Sequence, residues 1–122
     1  MKTLHMTMLA MTMATATLAS PTASAHAMLK SSNPGAGAIL AAAPKEIALT
    51  FNEKLEDAFS VITLADTGGK SVAAGKAKVD VNNSAILRLK VPTLSAGGYT
   101  VTWAVAGHDG HRRKGSFKFF VK

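Results

Sequence analysis

Residues 97–105 read GGYTVTWAV and give the clearest secondary-structure signal in the chain. Strict alternation of large apolar with small or polar side chains is typical of a β-strand that has one face in a core. A second alternating run, GSFKFFV, occupies residues 115–121 and follows after a polar loop. The two runs predict an antiparallel hairpin. The inward positions of its first strand are Tyr99, Val101, Trp103 and Val105.

The chain preceding this hairpin also contains short runs typical of β-strands. Turn signals at 66–69 (DTGG) and 82–84 (NNS) separate short runs of β-forming residues. No window sustains the period of a sizeable helix, although 52–58 (NEKLEDA) has room for one turn. About seven antiparallel strands predict an all-β fold, an immunoglobulin-like Greek-key barrel or sandwich. The predicted strands are 47–51, 59–64, 71–73, 76–81, 85–91, 99–105 and 115–121.

The first 25 residues, MKTLHMTMLAMTMATATLASPTASA, have a different character. Lys2 is their only charged residue, and the uncharged run at 6–19 is too short to span a bilayer as a stable helix. Ala23 and Ala25 place small residues at both positions that a signal peptidase recognises. We therefore expect a secretory signal at 1–25 and a single mature domain at 26–122, with no membrane span after cleavage.

Composition excludes several kinds of site. The chain has 122 residues and no Cys, so disulfides, zinc–thiolate sites, iron–sulfur clusters and Cys-ligated copper centres are ruled out. Its formal net charge is +7, but the basic residues are scattered, and only 112–114 (RRK) forms a run. Few aromatic side chains are available to stack on bases. We expect a solvated basic surface and no nucleic-acid partner.

The histidines of the predicted mature domain lie in two places. Cleavage after Ala25 makes His26 the N-terminal residue, and its α-amine and Nδ1 can then chelate one metal ion. His108 and His111 flank Asp109 in the loop before the last predicted strand. In extended backbone, Asp109 and His111 share one face, whereas His108 has the opposite parity and points away.

Each place has an ordinary explanation when taken alone. Some residue must follow a signal cleavage site, and Asp-Gly is a common turn dipeptide. Together, the amine and imidazole of His26 with Asp109 and His111 predict a metal site of three nitrogens and one oxygen. Such a set suits one tetragonal Cu(II) ion, although Ni(II) and Zn(II) accept the same ligands. Cu(I) prefers sulfur, and the one remaining methionine, Met28, is interpreted as a packing residue.

At these residues the sequence resembles the CopC family of periplasmic copper-resistance proteins. The specific part is the pairing of an N-terminal His with a later Asp-Gly-His. The resemblance implies a small Greek-key β-barrel, a Cu(II) site of His26, Asp109 and His111, and a periplasmic copper carrier or buffer. It also implies an inner-membrane partner of the CopD family. The matching segments are 26–29 (HAML), 32–34 (SNP), 37–38 (GA), 43–44 (AP), 49–53 (LTFNE), 59–60 (FS), 98–103 (GYTVTW), 109–111 (DGH), 115–117 (GSF) and Phe119.

The sequence departs from the family pattern near the predicted ligands. Gly107 stands where members often have Ser, and His108 directly precedes the Asp. The Met-rich Cu(I) site of some members has no counterpart here, and we therefore expect Cu(I) to bind weakly.

Two other functions stay open at this point. A secreted copper-dependent enzyme that cleaves polysaccharides by oxidation also uses an N-terminal His. We expect a binding protein rather than an enzyme, because the domain is small and offers only Trp103 and Tyr99 to stack on sugars. The third function is an adhesion or interaction sandwich whose histidines are incidental.

Overall fold

The computed structural model describes residues 27–72 and 75–122, which form two packed four-stranded sheets. The predicted all-β sandwich is confirmed, with eight strands among the described residues, which pair antiparallel as predicted except for β2, which pairs parallel with β8. These are β1 (Leu29–Asn33), β2 (Ile39–Leu40), β3 (Glu46–Phe51), β4 (Val61–Asp66), β5 (Lys78–Val79), β6 (Ile86–Lys90), β7 (Gly97–Ala106) and β8 (Arg112–Val121). The first sheet has the order β1-β3-β6-β5 and the second β2-β8-β7-β4. The predicted signal at 1–25 and His26 lie outside the described residues, as does Ala73.

The β7–β8 hairpin pairs ten residues in antiparallel register, from Gly97 opposite Val121 to Ala106 opposite Arg112. Its apolar positions point between the sheets, as the alternating pattern requires. They pack against Leu49 of β3 and Leu87 of β6, which are fully buried. Trp103 lies in this core and contacts Phe51 edge-on at a centroid distance of 6.3 Å. The inward residues of the hairpin are Tyr99, Val101, Trp103, Val105, Phe117, Phe119 and Val121.

Several element boundaries differ from the prediction. Strand β4 begins at Val61 rather than residue 59, because Phe59 closes a 3₁₀ turn at Asp57–Phe59 and its amide bonds back to Glu56. That turn is the only helical element of the described residues, and no described helix is long and apolar enough to cross a membrane. Strand β5 occupies just two residues of the predicted run 76–81.

The ends of the domain also differ. Strand β8 starts at Arg112, earlier than the predicted residue 115, because the basic residues pair with β7 through their backbone while their side chains stay exposed. The interpretation of Met28 as a packing residue is wrong. Met28 precedes β1 and is 52% exposed, since Ala27 and Leu29 occupy the positions that face the core.

Replacing Gly115 by Ala is expected to lower the free energy of unfolding by about 1–3 kcal/mol. A methyl group at this position would overlap the ring of Trp103, which Phe51 and Phe117 hold in place. Gly35→Ala is the matched control, because a Cβ there meets nothing within 4 Å. Urea unfolding followed by Trp103 fluorescence measures both. A Gly115→Ala variant as stable as the parent would contradict the packing described.

Candidate metal site

The β7–β8 hairpin closes through a tight loop at residues 107–111. The Gly107 amide donates to the carbonyl of His111 at 3.3 Å, and the Gly110 amide donates to the carbonyl of Gly107 at 3.0 Å. Gly110 has φ of 79°, a left-handed conformation that glycine adopts without strain. An isolated bridge between Leu55 and Gly107 ties the loop to the segment after β3. The loop is therefore anchored at both of its ends.

Asp109 and His111 are brought together in this loop. The His111 amide donates to Asp109 Oδ1 at 3.0 Å, and the ring nitrogen Nδ1 lies 3.1 Å from Oδ2. The contact was predicted from extended backbone, but it arises from an Asx turn, in which the Asp109 side chain accepts a hydrogen bond from the His111 backbone. When Nδ1 holds its proton toward Asp109, the lone pair lies on Nε2, the nitrogen available to a metal.

His108 lies apart from this pair, although in a turn rather than in the extended backbone on which its predicted orientation was based. Its Nδ1 is 3.1 Å from Glu56 Oε1, on the segment that follows β3. The side chains of His108 and His111 are equally exposed, at 61%. The loop thus presents two histidines of similar accessibility, of which one adjoins Asp109 and the other adjoins Glu56.

Glu53 is a residue of this region that the sequence analysis did not single out. A Cβ added to Gly107 would coincide with the Glu53 carboxylate and would lie 3.3 Å from Asp109 Oδ1. The carboxylates of Glu53 and Asp109 therefore border the same small space. Glu53 Oε1 is buried and has no hydrogen-bond partner among the described residues. A buried carboxylate oxygen without a partner is costly, which is typical of a site that binds a cation or a proton donor.

The described start of the chain reaches the same end of the sandwich. The Met28 amide donates to Asn52 Oδ1 at 2.7 Å, and the Asn52 amide donates to the Met28 carbonyl at 3.0 Å. Asn52 precedes Glu53, which packs on Gly107. Met28 is therefore linked to the loop through Asn52 and its neighbour Glu53.

Of the three predicted ligands, the structure brings Asp109 and His111 together and does not describe His26. Within residues 27–72 and 75–122, no group of three or more His, Asp or Glu side chains forms a complete metal site. The contact between Glu53 and Gly107 had no signal in the sequence, although Glu53 follows a buried strand and ends the segment 49–53 that resembles the family. The contact depends on how distant segments pack.

Known proteins resemble this chain over most of its length. Protein YobA of Escherichia coli (strain K12) is 34% identical over 114 residues, which cover 93% of this chain and 92% of that protein. Copper resistance protein C of Escherichia coli is 35% identical over 107 residues, covering 82% of this chain and 84% of that protein. The crystal structure of CopC from Methylosinus trichosporium OB3b matches with a TM-score of 0.76 at 35% identity, covering 80% of this chain and 94% of that one. The model of the CopC domain family matches residues 29–122, and the chain therefore belongs to that family.

Proposed function

We propose that this protein binds one Cu(II) ion in the periplasm and acts as a copper carrier or buffer. The observation on which the proposal rests is the Asp109–His111 pair, held by an Asx turn in an anchored loop with the Glu53 carboxylate beside it. A relative of similar length is named copper resistance protein C. Copper is the cargo in this proposal.

The proposed ligands are the α-amine and imidazole of His26, a carboxylate oxygen of Asp109 and the imidazole of His111. A carboxylate offers about four lone-pair sites, so Asp109 can orient His111 and still face the metal. Residues 1–25 are proposed to be a signal peptide, whose removal frees the amine of His26. The hydrogen bonds between Met28 and Asn52 support this arrangement, because they hold the chain next to His26 near Glu53.

Charge and donor type favour Cu(II) over Cu(I). The carboxylates of Asp109 and Glu53 lie together at the proposed site and can offset the two positive charges of a divalent ion. The chain has no Cys, and Met28 supplies the only thioether of the described residues. Nitrogen and oxygen donors without sulfur bind Cu(II) well and Cu(I) poorly. An inner-membrane partner of the CopD type is proposed to exchange the ion with this site.

No observation favours a copper-dependent oxidative enzyme. The side chains that were candidates for sugar stacking, Trp103 and Tyr99, are both buried between the sheets. Neither presents a ring face to a polysaccharide.

A protein with one extra residue before His26 is expected to bind Cu(II) about 100-fold more weakly than the protein cleaved after Ala25. Mutating a residue that only orients a metal ligand already costs up to about 100-fold in affinity. The extra residue turns the α-amine into an amide, whose lone pair is delocalised into its carbonyl. Titration against a Cu(II) chelator of known affinity measures the difference, with mass spectrometry to establish each N-terminus. Equal affinities would rule out the amine as a ligand.

His111→Ala is expected to weaken Cu(II) binding by about 100-fold or more, whereas His108→Ala should change it by less than about threefold. The two histidines are matched in exposure and lie in one loop, but only His111 adjoins Asp109. The same chelator competition measures both variants at a pH where imidazole is neutral. If His108→Ala causes the larger loss, the ion binds on the Glu56 side of the loop instead.

A further inference from the structure

The outer surface of the second sheet differs from the rest of the molecule in charge. Alternate residues of β8 point away from the core, and the neighbouring outward positions of β7 are small or hydroxylated. No outward-facing residue on β4, β7 or β8 is Asp or Glu. We call this surface the basic face. Its defining residues are Arg112, Lys114, Ser116, Lys118 and Phe120 of β8 and Thr102 of β7.

Within residues 27–72 and 75–122, no acidic side chain neutralises the cations of the basic face. Among the described residues, Arg112, Lys114 and Lys118 form no ion pair. Two carboxylates line grooves together with these cations, Glu56 with Arg112 and Asp66 with Lys118, but both bond elsewhere. Glu56 contacts His108, and Asp66 Oδ1 accepts the amides of its own turn at 2.9 and 3.0 Å.

The outer surface of the first sheet provides the contrast. Arg88 lies there between Glu46 and Asp80, at 2.7 and 3.0 Å. Its guanidinium, bonded to the carboxylate, holds the pKa of Asp80 below its ordinary value. Lys78 and Lys90 border this network and are exposed. The first sheet thus has acidic groups bonded to its central cation, whereas the carboxylates at the ends of the basic face, Asp66 and Glu56, bond to groups other than its cations.

Exposed aromatic rings lie at both ends of the basic face. At the loop end, Phe59 is 57% exposed, and the guanidinium of Arg112 lies 5.6 Å from its ring centroid. At the other end, the Phe120 ring lies across Gly98, where an added Cβ would come within 3.1 Å of it, and Lys118 lines the same shallow groove. Aromatic rings beside cations are typical of side chains at a membrane interface.

We propose that the basic face binds the surface of an anionic phospholipid bilayer. Arg112 and Lys118 are six residue steps apart on an extended strand, a span of about 20 Å, so one flat partner can contact the cations and both rings together. The cations would bind lipid phosphates, and Phe59 and Phe120 would enter the headgroup region. This orientation leaves the loop at residues 107–111 at the edge of the contact. The inference does not depend on the metal.

The test is flotation of the metal-free, signal-cleaved protein with phosphatidylcholine vesicles and with phosphatidylcholine vesicles that contain phosphatidylglycerol. Binding is expected to the anionic vesicles alone and to weaken as salt is raised. Lys114→Glu with Lys118→Glu should lower the partition coefficient by about tenfold or more. The matched control, Lys78→Glu with Lys90→Glu, makes the same change in net charge on the opposite sheet and should lower it far less.

The lysines of both pairs are exposed, and thermal unfolding verifies that each variant folds. Lys114→Gln with Lys118→Gln removes the charges without reversing them and should lower the partition coefficient by an intermediate factor. Equal losses from the two charge reversals would overturn the proposal, because net charge alone would then explain binding. Absence of binding to anionic vesicles would overturn it too. Binding to poly-glutamate but not to those vesicles would instead assign the face to an acidic protein.

Discussion

The antiparallel pairing of β7 with β8 is the constraint on which the rest of the structure depends. Its register sets Tyr99 against Phe119, with ring centroids 5.6 Å apart, and lays Trp103 over Gly115. The same register brings the strands to their last pair at Ala106 and Arg112, so that five residues close the hairpin. A slip of one residue would turn every side chain of β8 to the opposite face, removing the core contacts and the outward row of cations together.

The candidate metal site follows from this constraint and two further contacts, one within the loop and one between distant segments. The Asx turn orients His111 on Asp109, and the absence of a side chain at Gly107 leaves room for the Glu53 carboxylate. The two hydrogen bonds between Met28 and Asn52 hold the start of the described chain near these groups. Acidic and imidazole groups thus gather at one end of the sandwich, while Lys114 and Lys118, which form no ion pair with the described residues, lie along the flank of the second sheet. An ion at the loop would therefore lie beside carboxylates rather than among the lysines.

The sequence was sufficient to predict the features that depend on short-range pattern. Strand β7 was predictable because its alternating side chains leave one apolar face. The Asp109–His111 contact was predictable because residues two apart come close in an Asx turn as well as in extended backbone. The start of β8 was not predictable from the sequence. Its exposed arginines pair through their backbone, so they show no alternation of apolar residues. Glu53 was missed because its approach to Gly107 depends on packing between segments far apart in the chain. The role of His26 remains a prediction.

The most direct test of the central claim is to locate the ion by NMR, from the paramagnetic broadening of backbone amide signals when substoichiometric Cu(II) is added to the signal-cleaved protein. The account predicts that the signals of residues 107–112 and 52–53 broaden first. It also predicts that those at the opposite end of the sandwich, at 66–70 and 92–97, stay sharp. Broadening centred on residues 76–90, or spread evenly over the surface, would contradict it.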